Sequence, residues 1–168
     1  MELSLKRPIC FFDIESTGVN VVKDRIVEIS ILKIYPNGNR ESRTWLVNPE
    51  MPIPPETTAI HGISDEKVAN EPTFKQLAHR IHDMIKDADL AGYNSNKFDI
   101  LMLAEDFLRA DQDFDFSKKR AVDVQNIFHK KEQRTLSAAY RFYCDKVLED
   151  AHTAEADTLA TYEILKSQ

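Results

Sequence analysis

The chain has 168 residues, 42% of them hydrophobic, and a net charge of −6. That length suits one domain, 1–168, with a sizeable core, and the composition excludes a disordered acidic tail. No apolar run reaches the roughly 18 residues of a membrane helix, and the acidic balance argues against coating nucleic acid through a broad basic face, though not against gripping a few phosphates locally.

In chain order, the first element is a mostly apolar strand over Ile9–Ile14. A second, isoleucine-rich strand spans Arg25–Tyr35, the pair Asn37–Gly38 marks a turn, and Arg40–Val47 returns. These three read as an antiparallel meander. The segment Asn48–Gly62 holds four of the seven prolines and reads as a long functional loop. Phe74, Leu77, Ile81 and Ile85 then recur at helical spacing within Thr73–Lys86. A short strand (88–93), a helix (98–110), a short strand (119–124) and helices over 136–144 and 152–166 complete the chain. Strands first, then helix alternating with strand, predicts an α/β fold: a mixed sheet of about five strands flanked by helices. Cys10 and Cys144 show no metal spacing, and the N-terminus lacks the layout of a signal peptide, so a reducing cytoplasm is the expected compartment.

Chemistry concentrates on acids. Within PICFFDIESTG, alternate strand residues share a face, so Phe11, Asp13 and Glu15 point one way and Phe12 and Ile14 the other. The two carboxylates sit roughly 6.6 Å apart along the strand, from a rise of about 3.3 Å per residue. Held that close and partly buried, they repel, and a divalent cation is the economical compensation. A surface acid followed by a capping acid in the ESTG turn explains the pair equally well. Asp99, opening an apolar helix, reads by itself as a helix-capping acid. Asp157 shares a helical stripe with Ala160, Thr161 and Ile164, which places a carboxylate against the core, costly unless it binds a cation or hydrogen bonds. His152 alone reads as a surface or helix-end histidine.

Taken together, DIESTG, NKFDILML and HTAEAD, in this order, resemble the three motifs of the DEDD superfamily of 3′–5′ exonucleases. His152, Ala154 and Asp157 resemble the third motif of its histidine-containing subgroup, which includes the proofreading epsilon subunits of bacterial DNA polymerase III and the oligoribonucleases. TTAIHGIS (Thr57–Ser64) resembles the loop between the family's third strand and first helix, and the likeness runs from about Phe11 to about Ile164. Two departures stand out: Ser16 replaces a threonine common in the first motif, and Ser95, flanked by Asn94 and Asn96, occupies the usual asparagine position of the second.

The resemblance implies an RNase H-like fold and a metal-dependent exonuclease that releases nucleoside 5′-monophosphates from a 3′ end. Asp13, Glu15, Asp99 and Asp157 would bind two divalent cations, Mg2+ or Mn2+, and His152 would act as general base. Ser16, Thr17, Gly18, Val19, Ile60, His61, Asn94, Asn96 and Phe98 fall at substrate-binding positions; Val19 and Ile60 would wedge against the terminal bases, and Thr17 and Gly18 would offer backbone groups. Ile60 and His61 read equally as ordinary packed loop residues. The expected partners are nucleic-acid 3′ ends, DNA before RNA, and a DNA polymerase subunit, with no membrane. RNA-end trimming is the nearest alternative, and a non-catalytic module that binds nucleic-acid ends or a polymerase is the alternative of another class.

Overall fold

The computed structural model describes residues 5–92, 98–112, 121–123 and 154–167. Three antiparallel strands lead: β1 (Ile9–Ser16), β2 (Ile26–Ile34) and β3 (Arg40–Leu46). After them come α1 (Pro55–His61), α2 (Asp65–Val68), α3 (Phe74–Ile85), β4 (Asp89–Gly92), α4 (Ile100–Arg109), β5 (Ala121–Asp123) and α5 (Ala154–Ser167). The five strands form one sheet in the order β3-β2-β1-β4-β5, with β4 parallel to both β1 and β5. The mixed five-stranded sheet expected from the sequence is therefore present, with β1 at its centre. The helix expected over 136–144 lies outside the described residues.

The sheet separates two apolar layers. Cys10, Phe12 and Ile14 face one side and pack with Ile29, Ile31, Leu77, Ile81, Met102 and Phe107 under α3 and α4. Ile9 and Phe11 face the other side and pack with Leu32, Ile34, Ala91 and Tyr162 of α5. This is the alternation read from β1: a strand with helices on both faces needs apolar residues on both, so an acid there stands out. Helix α3 starts as its sequence predicts. The Thr73 hydroxyl accepts from the Gln76 N–H, and the Gln76 side chain accepts from the Thr73 N–H, a capping box.

The segment 48–62 departs from expectation. It is not all loop: Pro55–His61 forms α1. Proline sits comfortably in a first helical turn, where its missing N–H would be unsatisfied anyway, and Gly62 closes the helix at φ 76° with its N–H on the Thr58 carbonyl at 2.7 Å. No residue of α1 is buried, so the apolar periodicity that betrays most helices is absent. The prolines that suggest a loop in the sequence mark a helix start here.

Candidate metal centre and active site

The site forms where β1 runs out beneath α5. Phe11 and Tyr162 meet edge to face, ring centroids 5.2 Å apart, and this contact sets how α5 lies on the strand. Asp13 is the next residue of β1 on that face. On α5, Ala160, Thr161 and Ile164 are buried as the stripe predicts, and Asp157 lies half-buried on the same side. Ligand atoms of Asp13, Glu15 and Asp157 all fall within 4.8 Å of one another.

The Oδ2 atom of Asp13 is sealed from solvent with no hydrogen-bond partner, although the residue as a whole keeps some exposure. Burial pushes the Asp13 carboxyl well above the usual carboxylate range, and the charges of Asp99, Asp157 and Glu15 push it further. Glu15 is raised to about 8, first by burial, then by Asp157 and by Glu28 directly across on β2. An orphaned buried carboxylate oxygen among acids is expensive without a cation. Oxygen donors at this spacing fit a hard divalent ion, so the residues present suit the metal site that the sequence implies.

Asp99 is buried and has helical dihedral angles at the head of α4 with no capping bond. Capping therefore does not explain it. Its charge acts on Asp13, so the head of α4 lies near the cluster, while Asp13, Glu15 and Asp157 form the compact set. Phe98 and Asp99 lie in a π turn, a local widening that often accompanies functional positions. The Phe98 ring packs against the α3–α4 core. Asn94, Asn96 and His152 lie outside the described residues.

Beyond Glu15 the β1–β2 register shifts, as a bulge does where a strand is re-aimed. Here the chain enters a loop that α1 holds from one side. The Thr57 hydroxyl donates to the Thr17 carbonyl at 3.1 Å, and the His61 ring bonds the Ser16 carbonyl at 3.0 Å. Thr17 also donates its N–H to the Arg25 carbonyl and its hydroxyl to Asp24, so both of its backbone groups are taken within the protein. Gly18 is required by space: a Cβ there would stand 2.5 Å from Asp24 Oδ2. Val19 and Ile60, by contrast, stay 89% and 67% exposed. Asp24, Asp106 and Arg109 also hold this loop, and the sequence gives no signal for them. Only long-range contact marks them, and single polar residues carry no periodic signal.

The chain matches the exonuclease (RNase_T) family over residues 10–165. It is 35% identical over 158 residues to a DNA polymerase III subunit epsilon-like protein of Rhodobacter capsulatus, covering 90% of this chain and 22% of that protein. It is 25% identical over 158 residues to the 3′-5′ exonuclease DinG of Staphylococcus epidermidis, covering 91% and 17%. Among solved structures, E. coli exonuclease I in its zinc-bound complex with single-stranded DNA superposes with a TM-score of 0.83 at 19% identity, over 97% of this chain and 40% of that one. That likeness is one of fold. The chain thus spans about a fifth of the two curated relatives. No helix among the described residues is long and apolar enough to cross a membrane. With the family match covering nearly the whole sequence, the chain belongs to the exonuclease family.

Proposed function

We propose that this chain is a metal-dependent 3′–5′ exonuclease of the histidine-containing DEDD subgroup, acting on the 3′ end of single-stranded or frayed DNA and releasing nucleoside 5′-monophosphates. The observation that carries this reading is the buried, unpartnered Asp13 Oδ2 inside the Asp13, Glu15 and Asp157 cluster. Relatives named as polymerase III proteins and as a 3′-5′ exonuclease support the polarity and favour DNA. They also favour work beside a polymerase.

Asp13, Glu15 and Asp157 would hold the divalent cations, Mg2+ or Mn2+, with Asp99 acting through water. Bound there, two such ions would supply Lewis acidity at the phosphoryl oxygens and lower the pKa of a water. Val19 and Ile60 would stack against the last bases, holding the terminal phosphodiester over the acids. His152, five residues before Asp157 in the sequence, would take the proton of the attacking water.

A 5′-labelled oligonucleotide with a free 3′ end tests the proposal. Incubated with Mg2+ or Mn2+, it should shorten stepwise and release 5′-mononucleotides, and EDTA should stop the reaction. No metal-dependent shortening between pH 7 and pH 9 overturns it. Matched DNA and RNA oligonucleotides decide the substrate, with faster cleavage of DNA expected. His152→Ala should lose most of the rate and keep metal affinity.

A further inference from the structure

The β1–β2 loop is gripped from a second side, by α4. Arg109, in the last turn of α4, donates to the carbonyls of Asp24 at 3.1 Å, Val21 at 3.3 Å and Val22. Its guanidinium also pairs with Asp106 Oδ1 at 2.9 Å. Asp106, 3% exposed, uses its other oxygen to accept the Ile26 N–H at 3.1 Å. One ion pair thus fastens four backbone positions, Val21, Val22, Asp24 and Ile26, to a helix far away in sequence. Inside the loop the Asp24 carboxylate continues the grip, accepting from the Thr17 hydroxyl and the Asn20 N–H, each at 2.9 Å.

Such an arrangement is a poor way to gain stability alone, because burying an ion pair costs desolvation that an apolar contact avoids. Its return is geometric. The planar guanidinium offers donors in a fixed fork, and three carbonyls meet it only when the loop has one shape. That shape leaves Val19 exposed at the tip while Thr17 and Gly18 are packed at its base. Helix α4 also carries Asp99 at its other end, roughly 15 Å away at about 1.5 Å per residue, so the loop and Asp99 share one rigid support.

We infer that Asp106 and Arg109 are positioning residues that fix the β1–β2 loop so that Val19 meets the last base of a nucleic-acid 3′ end beside Asp13 and Glu15. The inference rests on the exonuclease reading proposed above. Neither residue touches substrate; both act through the loop.

The test measures kinetics and loop opening together. With wild-type chain, Arg109→Gln and Asp106→Asn, cleavage of a short 3′-ended oligonucleotide is followed under saturating Mn2+. Both variants should raise KM about tenfold with kcat changed less than about threefold, since a misplaced binding element reads out mainly in substrate binding. Adding Val19→Ala to Arg109→Gln should cost little more than Arg109→Gln alone, because both changes remove the same contact. Amide exchange at Asn20 and Asp24 should quicken at least about tenfold in Arg109→Gln. Asp106→Asn keeps an acceptor for the Ile26 amide, so it reports even if Arg109→Gln folds poorly. An active wild type with unchanged KM in the variants, additive Val19 effects, or unchanged exchange at Asn20 and Asp24 overturns the inference and leaves the exonuclease reading standing. A wild type without metal-dependent cleavage overturns both.

Discussion

The His61 ring bridges two backbone groups: Nε2 lies 3.0 Å from the Ser16 carbonyl oxygen, and Nδ1 lies 3.0 Å from the Ile63 N–H. A carbonyl only accepts and an N–H only donates, so Nε2 carries the proton and Nδ1 offers its lone pair. Both ring nitrogens are occupied. His61 therefore ties the end of α1 to the end of β1, and it aims the neighbouring Ile60. His61→Ala should lower stability by about 1–2 kcal/mol, the scale of two net hydrogen bonds, read from urea unfolding. His61→Gln, which can still donate and accept, should lose less. Equal losses in the two variants would show that ring packing matters more than the paired bonds.

Asp13→Asn removes one charge from the crowded cluster and leaves the side-chain shape. Without metal, the variant should melt higher than wild type, because burial and three neighbouring acids already disfavour the Asp13 anion. With Mn2+, titration calorimetry should show strongly weakened binding, and cleavage should fall at least about 10²-fold, the scale of losing one preorganised electrostatic group. A variant that melts lower in EDTA would mean that the charge is satisfied in the metal-free protein.

The protonation of Glu15 gives a pH signature. Its carboxyl is raised from 4.5 to about 8 by burial, Asp157 and Glu28. The folded state thus holds a proton that the unfolded state releases, so this contribution is complete below about 4.5 and is lost as pH rises through about 8. Asp13, shifted the same way, reinforces the trend. In EDTA the melting temperature should fall as pH rises across that window. Metal binding must displace the same protons, so apparent Mn2+ affinity should climb with pH and level off above about 8. A melting temperature that rises with pH in EDTA would contradict the cluster as described.

Gly18→Ala tests the base of the loop. The added Cβ would meet the Asp24 carboxylate at 2.5 Å, and that carboxylate is fixed by Thr17 and Asn20. Overpacking of this kind costs about 1–3 kcal/mol, so thermal melting should drop and KM should rise. Asp24→Ala combined with Gly18→Ala should recover part of the clash while losing the loop's internal bonds. A Gly18→Ala variant indistinguishable from wild type would show that the loop relaxes freely.

Most of the architecture was legible because its signals are local. The alternation in β1, the helical spacing in α3, the buried stripe of α5 and the Asn37–Gly38 turn each follow from periods of two or 3.6 residues and from turn chemistry. Asp13 and Glu15 on one strand face, and Asp157 on the stripe with Ala160, Thr161 and Ile164, could be placed the same way. Helix α1 escaped because no residue of it is buried, which leaves no apolar period to read.

The sequence by itself therefore determined which acids share a face, and the order of the motifs determined the family resemblance. Only the tertiary structure decided that α5 lowers Asp157 onto β1, that Asp13 Oδ2 is left without a partner, and that Asp99 charges the cluster instead of capping its helix. It also decided the Arg109 grip on a loop more than 80 residues earlier. The physical reason is range. Backbone periodicity repeats within a few residues and can be counted along the chain. A metal cluster or a braced loop depends on how packed faces such as Phe11 and Tyr162 bring distant side chains to within a few ångströms.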